Sequence, residues 1–414
     1  MKAVFNRFVL MAFLSLCFCT TVFAVTMKYQ DLTVLGHSVR LQIPEGTEVE
    51  FLGTMDGPRF LDLGPDNELL IGSNNSKIYR CPSPYTTPDL LVNLPGRNHS
   101  VAYRNGRLYV AETAALHQAS YNGLSTDLNS GSFSVYVKLP SATGGHWSRT
   151  VMIGPDHALY VALGISGNCS DEYLGNHYDF ERRRGGVYKL DESGAIPKLV
   201  PFSSGLRNPI GLAFDLSTNE LWVTNAGSDD LGFDFPREIF SRLTQGSFHG
   251  MPWFQFIHGS FQAQDCIKIE PPRPATEAVS PSITFDARST PEGIAFMPDS
   301  TLGLGFSGNA IVAIHGSWAK PPGGGDESRR SPKLVMVVFS NNEPQRVEDI
   351  VTGFQRNDGS RFARPSGVLV GRDGYLYFTS DRGDVEGLFR LKPSTPSTTA
   401  PSMTSWLPLL FDRE

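Results

Sequence analysis

The sequence predicts an all-β fold, a six-bladed β-propeller. Three observations carry that expectation. A strand–turn–strand pattern recurs six times along the 414 residues, and self-similarity on this scale marks a repeat architecture. The chain holds 41 Gly and 29 Pro with few long apolar stretches, which favours many short strands and tight turns over helices. Finally, a small sheet of this kind cannot bury both its faces alone. Stacking such sheets radially buries them and leaves only short edges.

The elements follow in order. Lys2 and Arg7 supply a basic start, residues 8–18 are apolar, and Val22-Phe23-Ala24 ends on small-residue cleavage chemistry. Residues 1–24 therefore read as a signal peptide of a secreted or periplasmic protein. The apolar run is shorter than the ~20 residues a spanning helix needs, and no later segment is long or apolar enough, so no membrane span is expected after cleavage. Residues 25–50 read as one or two edge strands, with alternation at 39–43. The six copies are residues 60–71, 101–110, 151–161, 211–223, 293–302 and 367–378. Their turns include Asn105-Gly106, Gly154-Pro155-Asp156, Pro298-Asp299-Ser300 and Gly371-Arg372-Asp373-Gly374, each a tight-turn signal. Third strands are expected at 77–80, 186–190 and 387–391. The propeller domain is expected to span 25–392, with loop insertions at 233–279 and 321–332. Residues 393–414 read as a Pro/Ser/Thr-rich linker with an apolar docking end.

Composition narrows the function. Net charge is −6 and no block of Lys or Arg appears, which argues against a nucleic-acid surface. Three cysteines follow the signal peptide, Cys81, Cys169 and Cys266. An exported chain meets an oxidising compartment, and Cys169–Cys266 is the preferred pair because both lie in loops expected around one face. The sequence has no G-x-S-x-G, Walker or H-E-x-x-H motif. Residues 303–308 match G-x-G-x-x-G by letter, but a strand-like run follows where a pyrophosphate would need a helix N-terminus.

Four stretches can carry chemistry. His146 stands just before an inner strand, where a neutral imidazole can serve as a general base; the alternative is a structural histidine bonded to a backbone carbonyl. Arg207 and Asn208 precede the fourth copy, and Arg364 holds the same place in the sixth. Arginine forks suit carboxylates and asparagine suits a carbonyl; the alternative is an arginine that pins a turn to a neighbouring blade. Residues 225–234 are rich in oxygen donors of the kind that bind Ca²⁺, or form a solvated acidic turn. Trp318 can stack on a flat cofactor, or pack between blades.

Taken together, GHWSRTVMIGPDHALYVALG (145–164), GLRNPIGLAFDLSTNELWVTNAG (205–227), IHGSW (314–318), PKLVMVVF (332–339) and RPSGVLVGRDGYLYFTSD (364–381) resemble the soluble quinoprotein glucose/sorbosone dehydrogenase family, including the related pyranose dehydrogenases. The resemblance covers residues 50–392. It implies a six-bladed propeller that binds pyrroloquinoline quinone (PQQ) with Ca²⁺ and oxidises a sugar hydroxyl or aldehyde. It implies His146 as catalytic base, Arg207, Asn208, Trp318, Lys333 and Arg364 at the cofactor, and Gly227 and Ser228 as calcium ligands. Three departures stand out. The family's Asp that orients the base is missing from Leu163-Gly164-Ile165-Ser166-Gly167-Asn168. A Gly-Trp-Pro motif appears as Gly250-Met251-Pro252-Trp253. A paired arginine expected two positions before Arg364 is Phe362, with Arg361 beside it.

The reading is an exported quinoprotein that oxidises an aldose, pyranose or sorbosone-like sugar by hydride transfer to PQQ. Its electrons pass to an external acceptor, since the chain has no haem-attachment C-x-x-C-H. The alternatives are a non-catalytic propeller that binds carbohydrate or a protein partner, and a Ca²⁺-dependent hydrolase of the lactonase kind.

Overall fold

Turn residues set where the strands begin and end. The computed structural model describes residues 25–123, 128–141, 145–215, 217–298, 302–303 and 305–394. The expected signal peptide and all but the first two residues of the expected tail lie outside the described residues.

A hairpin of β1 (Met27–Val34) and β2 (His37–Pro44) leads into β3 (Thr47–Thr54). Blade one is β4 (Pro58–Leu63), β5 (Leu69–Ser73), β6 (Lys77–Cys81) and β7 (Asp89–Asn93). Blade two is β8 (Asn98–Arg104), β9 (Arg107–Glu112), β10 (Ala115–Ser120) and β11 (Ser134–Lys138). Blade three is β12 (Arg149–Ile153), β13 (Leu159–Leu163), β14 (Gly186–Asp191) and β15 (Lys198–Ser204). Blade four starts with β16 (Asn208–Asp215), β17 (Glu220–Ala226) and β18 (Glu238–Leu243). An insertion follows with β19 (Ser247–Phe248), which pairs in parallel with β15, and the hairpin β20 (Phe254–Ile257) and β21 (Ser260–Ala263). The fourth blade is completed by β22 (Ile283–Phe285). Blade five is β23 (Pro291–Phe296), β24 (Ala310–Ile314), β25 (Lys333–Ser340) and β26 (Glu343–Val351). Blade six is β27 (Pro365–Val370), β28 (Leu376–Ser380) and β29 (Gly387–Pro393), closed on its outer edge by β3 from the other end of the chain.

The first strands of successive blades touch in a closed ring, β4 to β8, β12, β16, β23, β27 and back to β4. The fold is thus the predicted six-bladed all-β propeller. No helix of the described residues is long and apolar enough to cross a membrane.

Local chemistry accounts for the hairpins. In blade three, Asp156 accepts from the Ala158 N–H at 3.1 Å and from the Tyr160 hydroxyl at 3.0 Å. In blade six, Asp373 does the same for the Tyr375 N–H at 3.1 Å and the Tyr377 hydroxyl at 2.6 Å. An Asp side chain that bonds the backbone two residues on closes the turn, and the tyrosine on the return strand locks it. At Asn105-Gly106 both residues have positive φ, 52° and 76°, as a two-residue hairpin turn of the primed type requires.

Side-chain alternation then builds the core. Along β13, Leu159, Val161 and Leu163 pack with blade two, whereas Tyr160 and Ala162 pack with blade four. Successive side chains on a strand point to opposite faces, so each blade feeds two clusters. One apolar cluster fills each of the six gaps between neighbouring blades. The N-terminal hairpin adds Leu41 and Ile43 to the cluster between blades five and six.

Two expectations need correction. The second strand of blade five is not near 302 but at β24, after a wide connection closed by the Met297 N–H on the Asn309 carbonyl at 2.8 Å. The insertion placed at 233–279 contains β18, the third strand of blade four. The added segment is instead the stretch between β18 and β22. The expected Cys169–Cys266 disulfide is present, with Cα atoms 6.1 Å apart, and Cys81 is free and buried. It ties the loop after β13 to this insertion.

Candidate active site

The inner strands run in one direction, so the residues just ahead of them gather at one end of the axis. His146 lies ahead of β12. Its backbone carbonyl accepts Arg149 Nη1 and Arg184 Nη2, both at 2.9 Å, which fixes the loop from below. Its Nδ1 meets the Ile165 carbonyl at 2.5 Å. A carbonyl oxygen only accepts, so Nδ1 carries the proton and Nε2 keeps its lone pair. The orienting carboxylate missing from the sequence is replaced by this backbone oxygen. Burial, followed by the Arg207 charge, lowers the His146 pKa to about 3, so the ring is neutral.

Asn208 stands beside it. A Cβ on Gly164 would lie 2.7 Å from both His146 Cβ and Asn208 Oδ1, a spacing real side chains do not tolerate. Only glycine lets the two groups meet. Asn208 Oδ1 is buried with no hydrogen-bond partner.

Arg207 is held by protein. Its Nη2 donates to Asn168 Oδ1 at 2.6 Å and pairs with Asp229 Oδ2 at 3.0 Å, and its Nε reaches the Asn168 carbonyl at 3.1 Å. It pins the loop after β17 to the loop after β13, the structural role weighed from sequence.

On the far side of the axis Arg364 donates to the His315 carbonyl at 2.9 Å and the Gly316 carbonyl at 2.6 Å. Its guanidinium lies 4.3 Å from the ring centre of Trp318, and that of Arg361 lies 5.6 Å from it. Arg361 therefore supplies the second arginine, while Phe362 is fully buried in the core. Both arginines keep a buried Nη1 without a partner. Burial, then the Arg361 charge, lowers the pKa of Arg364 to about 9, and burial, then the Arg329 charge, lowers that of Arg361 to about 10. Trp318 is 64% exposed, a flat apolar platform above two cations. Lys333 stands apart from this group, its ammonium 2.7 Å from Asp349 of the outermost strand β26.

Between the two sides lies a buried charge cluster that sequence reasoning missed. Arg59 pairs with Asp381 at 2.8 Å and Glu292 at 3.0 Å, and donates to His99 Nδ1 at 3.3 Å. His315 Nε2 bonds Asp381 Oδ1 at 2.7 Å. Burial alone would raise the Asp381 pKa, but Arg59 and His315 hold its carboxyl well below the usual range. Trp147 links the cluster to the His146 loop, with its ring 5.6 Å from His99 and 5.7 Å from the Arg59 guanidinium. A signal existed: Pro58-Arg59, Asn98-His99 and Pro291-Glu292 sit at the head of inner strands, as Arg207-Asn208 and Arg364 do. One position further along these strands an axial cavity of about 1140 Å³ opens toward the other end, so the cluster forms the floor between the two mouths.

The loop expected to bind calcium is occupied by a side chain. Arg288 Nη1 donates to the Ser228 carbonyl and lies 3.0 Å from Asp229 Oδ1. Its Nε reaches the Gly232 carbonyl at 3.0 Å and its Nη2 the Phe235 carbonyl at 3.0 Å. The Gly227 N–H donates to Glu238. Among the described residues no three His, Cys, Asp or Glu side chains converge as metal ligands. With the Arg288 guanidinium seated on the Ser228 carbonyl, the loop as it stands does not fit a calcium ion.

The buried cations do fit an anionic ligand. Guanidinium groups that keep unpaired, desolvated donors favour carboxylates. PQQ carries three, and the described site offers Arg361 and Arg364 under an indole.

Comparisons with known proteins identify the family and the fold. The Glucose / Sorbosone dehydrogenase family profile matches residues 101–390, from blade two to the last strand of blade six. Over 215 residues the chain is 25% identical to quinoprotein glucose dehydrogenase B of Acinetobacter calcoaceticus, covering 39% of this chain and 45% of that one. A calcium structure of a Trichoderma reesei protein of carbohydrate-active enzyme family AA12 superposes with a TM-score of 0.70 at 18% identity, covering 91% of this chain and 100% of that one. The PQQ-bound aldose sugar dehydrogenase of Streptomyces coelicolor superposes with a TM-score of 0.56 at 16% identity, covering 84% of this chain and 99% of that one. With the profile spanning well over half its length, this chain belongs to the glucose/sorbosone dehydrogenase family.

Proposed function

We propose that this protein is an exported PQQ-dependent oxidoreductase that oxidises a sugar hydroxyl or aldehyde. One observation carries the reading. The neutral His146 ring has its Nδ1–H committed to the Ile165 carbonyl, so Nε2 is the basic atom. Family membership and the PQQ-bound relative support the same reading.

His146 Nε2 takes the hydroxyl proton of the sugar. Ile165 holds the ring in one tautomer, and Arg149 and Arg184 hold the loop that carries it. Asn208 sets a polar group beside the ring. Arg361 and Arg364 would bind the carboxylates of the cofactor, with Trp318 against its plane. When bound, PQQ supplies the two-electron acceptor for the hydride that leaves the sugar carbon. The base is weak because it is buried and faces the Arg207 charge, and a bound polyanion would raise its pKa toward the range where general bases work. Electrons leave to an external acceptor. No step here passes through calcium.

The test is reconstitution. Purified protein titrated with PQQ is expected to shift the cofactor's absorbance and then to oxidise aldoses with an artificial acceptor. His146→Gln is expected to lower kcat by roughly 10²–10⁴-fold with PQQ affinity changed only a few-fold. Saturable PQQ binding without oxidation of any sugar tested would sink the enzyme reading. One observation favours a second reading, a binding propeller without catalysis: Arg207 and Lys333 are held by Asp229 and Asp349. Absence of any PQQ shift would select it.

A further inference from the structure

The side chain of Arg288 enters the loop after β17 and meets a shell made only of oxygen. The shell consists of the Ser228, Gly232 and Phe235 carbonyls and the Asp229 carboxylate. Backbone carbonyls with one carboxylate are the donor set of a hard cation such as Ca²⁺. Here the cation is a guanidinium, 4% exposed.

Three further observations show that the arginine is built in. Its backbone φ is +68°, a conformation that costs a non-glycine residue energy and persists only where the surroundings enforce it. The enforcing group is Glu238, whose Oε1 accepts the Arg288 N–H at 2.7 Å and whose other oxygen accepts the Gly227 N–H. Burial raises the Glu238 pKa to about 7, yet the carboxyl is kept at the base of this loop. Asp229 also bridges two arginines, Arg207 and Arg288, each at 3.0 Å. A divalent ion in this shell would sit against both.

The donor spacing also suits the arginine. The Nε contact to the Gly232 carbonyl, the Nη1 contact to Asp229 Oδ1 and the Nη2 contact to the Phe235 carbonyl are each 3.0 Å, an N–H···O distance. Calcium–oxygen contacts are shorter, near 2.3–2.6 Å, and number six to eight. Calcium could take this shell only if Arg288 left it.

We propose that Arg288 is an internal cation that takes the calcium place of this loop, so that the chain holds its loop, and takes its quinone, without calcium. The quinone half of the proposal rests on the PQQ reading above; the loop half does not. Arg288 is here a positioning residue: it fixes the loop that Arg207 ties to the His146 side of the axis.

The experiment has two arms. In the first, without PQQ, Tm and calorimetric calcium titrations are compared in calcium and in EDTA. Wild type is expected to show no calcium-dependent change. Arg288→Ala is expected to lose roughly 5 °C in Tm and to regain part of it in millimolar calcium, because an ion that binds only the folded state stabilises it. Arg288→Lys keeps a positive charge and is expected to stay calcium-insensitive even where Arg288→Ala folds poorly. Wild-type calcium binding that disappears in Asp229→Asn would overturn the proposal, as would a folded Arg288→Ala that remains blind to calcium. In the second arm, PQQ is titrated into wild type in EDTA and in calcium. Equal affinity is expected, and binding only in calcium overturns the quinone half. Failure of PQQ to bind in either buffer counts against the PQQ reading, while the first arm still decides the role of Arg288.

Discussion

His146 answers to two opposed requirements. The catalytic role proposed for it wants a base near neutral pH, but burial and Arg207 depress its pKa to about 3. The same depression has a consequence for stability. His146, His249 (lowered to about 4 by burial) and His99 (lowered well below its usual value, chiefly by burial) are all held neutral in the folded state. Below pH ~6.5 the unfolded chain binds protons at these sites and the folded chain does not, so stability falls as pH drops from about 6.5 toward each folded pKa. Each histidine contributes at most one proton, or about 1.4 kcal/mol per pH unit. The urea midpoint is expected to decline from pH 6.5 to pH 4.5, and His146→Gln to decline less steeply. Identical slopes would mean that His146 is protonated in the native protein.

At the scale of elements, close approach around the axis explains two conspicuous pairs. In blade four, the Thr224 hydroxyl accepts the Gly211 N–H at 2.9 Å and donates to the Glu292 carbonyl of blade five at 2.6 Å. In blade six, Thr379 does the same between the Gly367 N–H and the Arg59 carbonyl of blade one, at 2.9 and 2.6 Å. A Cβ on Gly211 would come within 2.0 Å of the Glu292 carbonyl, and one on Gly367 within 2.3 Å of the Arg59 carbonyl. Backbone cannot yield there as a side-chain tip would. Gly367→Ala is expected to destabilise by about 1–3 kcal/mol through overpacking. Thr379→Val should cost a similar ~1–3 kcal/mol by leaving two buried backbone groups unpaired. Denaturant midpoints measure both, and unchanged values would show that the blades can move apart.

For the whole molecule, closure is both covalent order and charge. β3 completes blade six with a strand from the opposite end of the chain, and Arg59 of blade one reaches Asp381 beyond β28 and Glu292 of blade five. Removing one member of such a buried group leaves the others as unpaired charges. Arg59→Leu is expected to cost about 3–5 kcal/mol, read from the change in unfolding free energy. A cost near zero would mean that Asp381 and Glu292 find other partners or become neutral.

Much of this was legible because it is local. Five of the six hairpins follow from Gly/Asp turn chemistry and period-two alternation, and each of the five is decided within about ten residues. The fifth failed where the chain did not turn tightly: its return strand comes only at Ala310. β18 was missed because it lies between two loops of mixed composition. Of the site, His146, Asn208, Arg207 and Arg364 were visible as polar residues at the head of inner strands. Arg59, His99 and Glu292 carried the same signal and were passed over. Arg361 was noted only as a neighbour of Phe362, and the structure sets it beside Trp318.

The sequence by itself determined the number of blades, the turn residues and the set of charged groups delivered to one mouth of the axis, since backbone preference and strand periodicity act over a few positions. Tertiary structure alone decided which charges meet. Arg288 reaches a carbonyl 60 positions earlier in the chain, Arg59 a carboxylate 322 positions later, and Ile165 offers His146 a backbone oxygen no side-chain motif encodes. Pairing of buried charges depends on distances of a few ångströms across blades, and ring closure sets those distances.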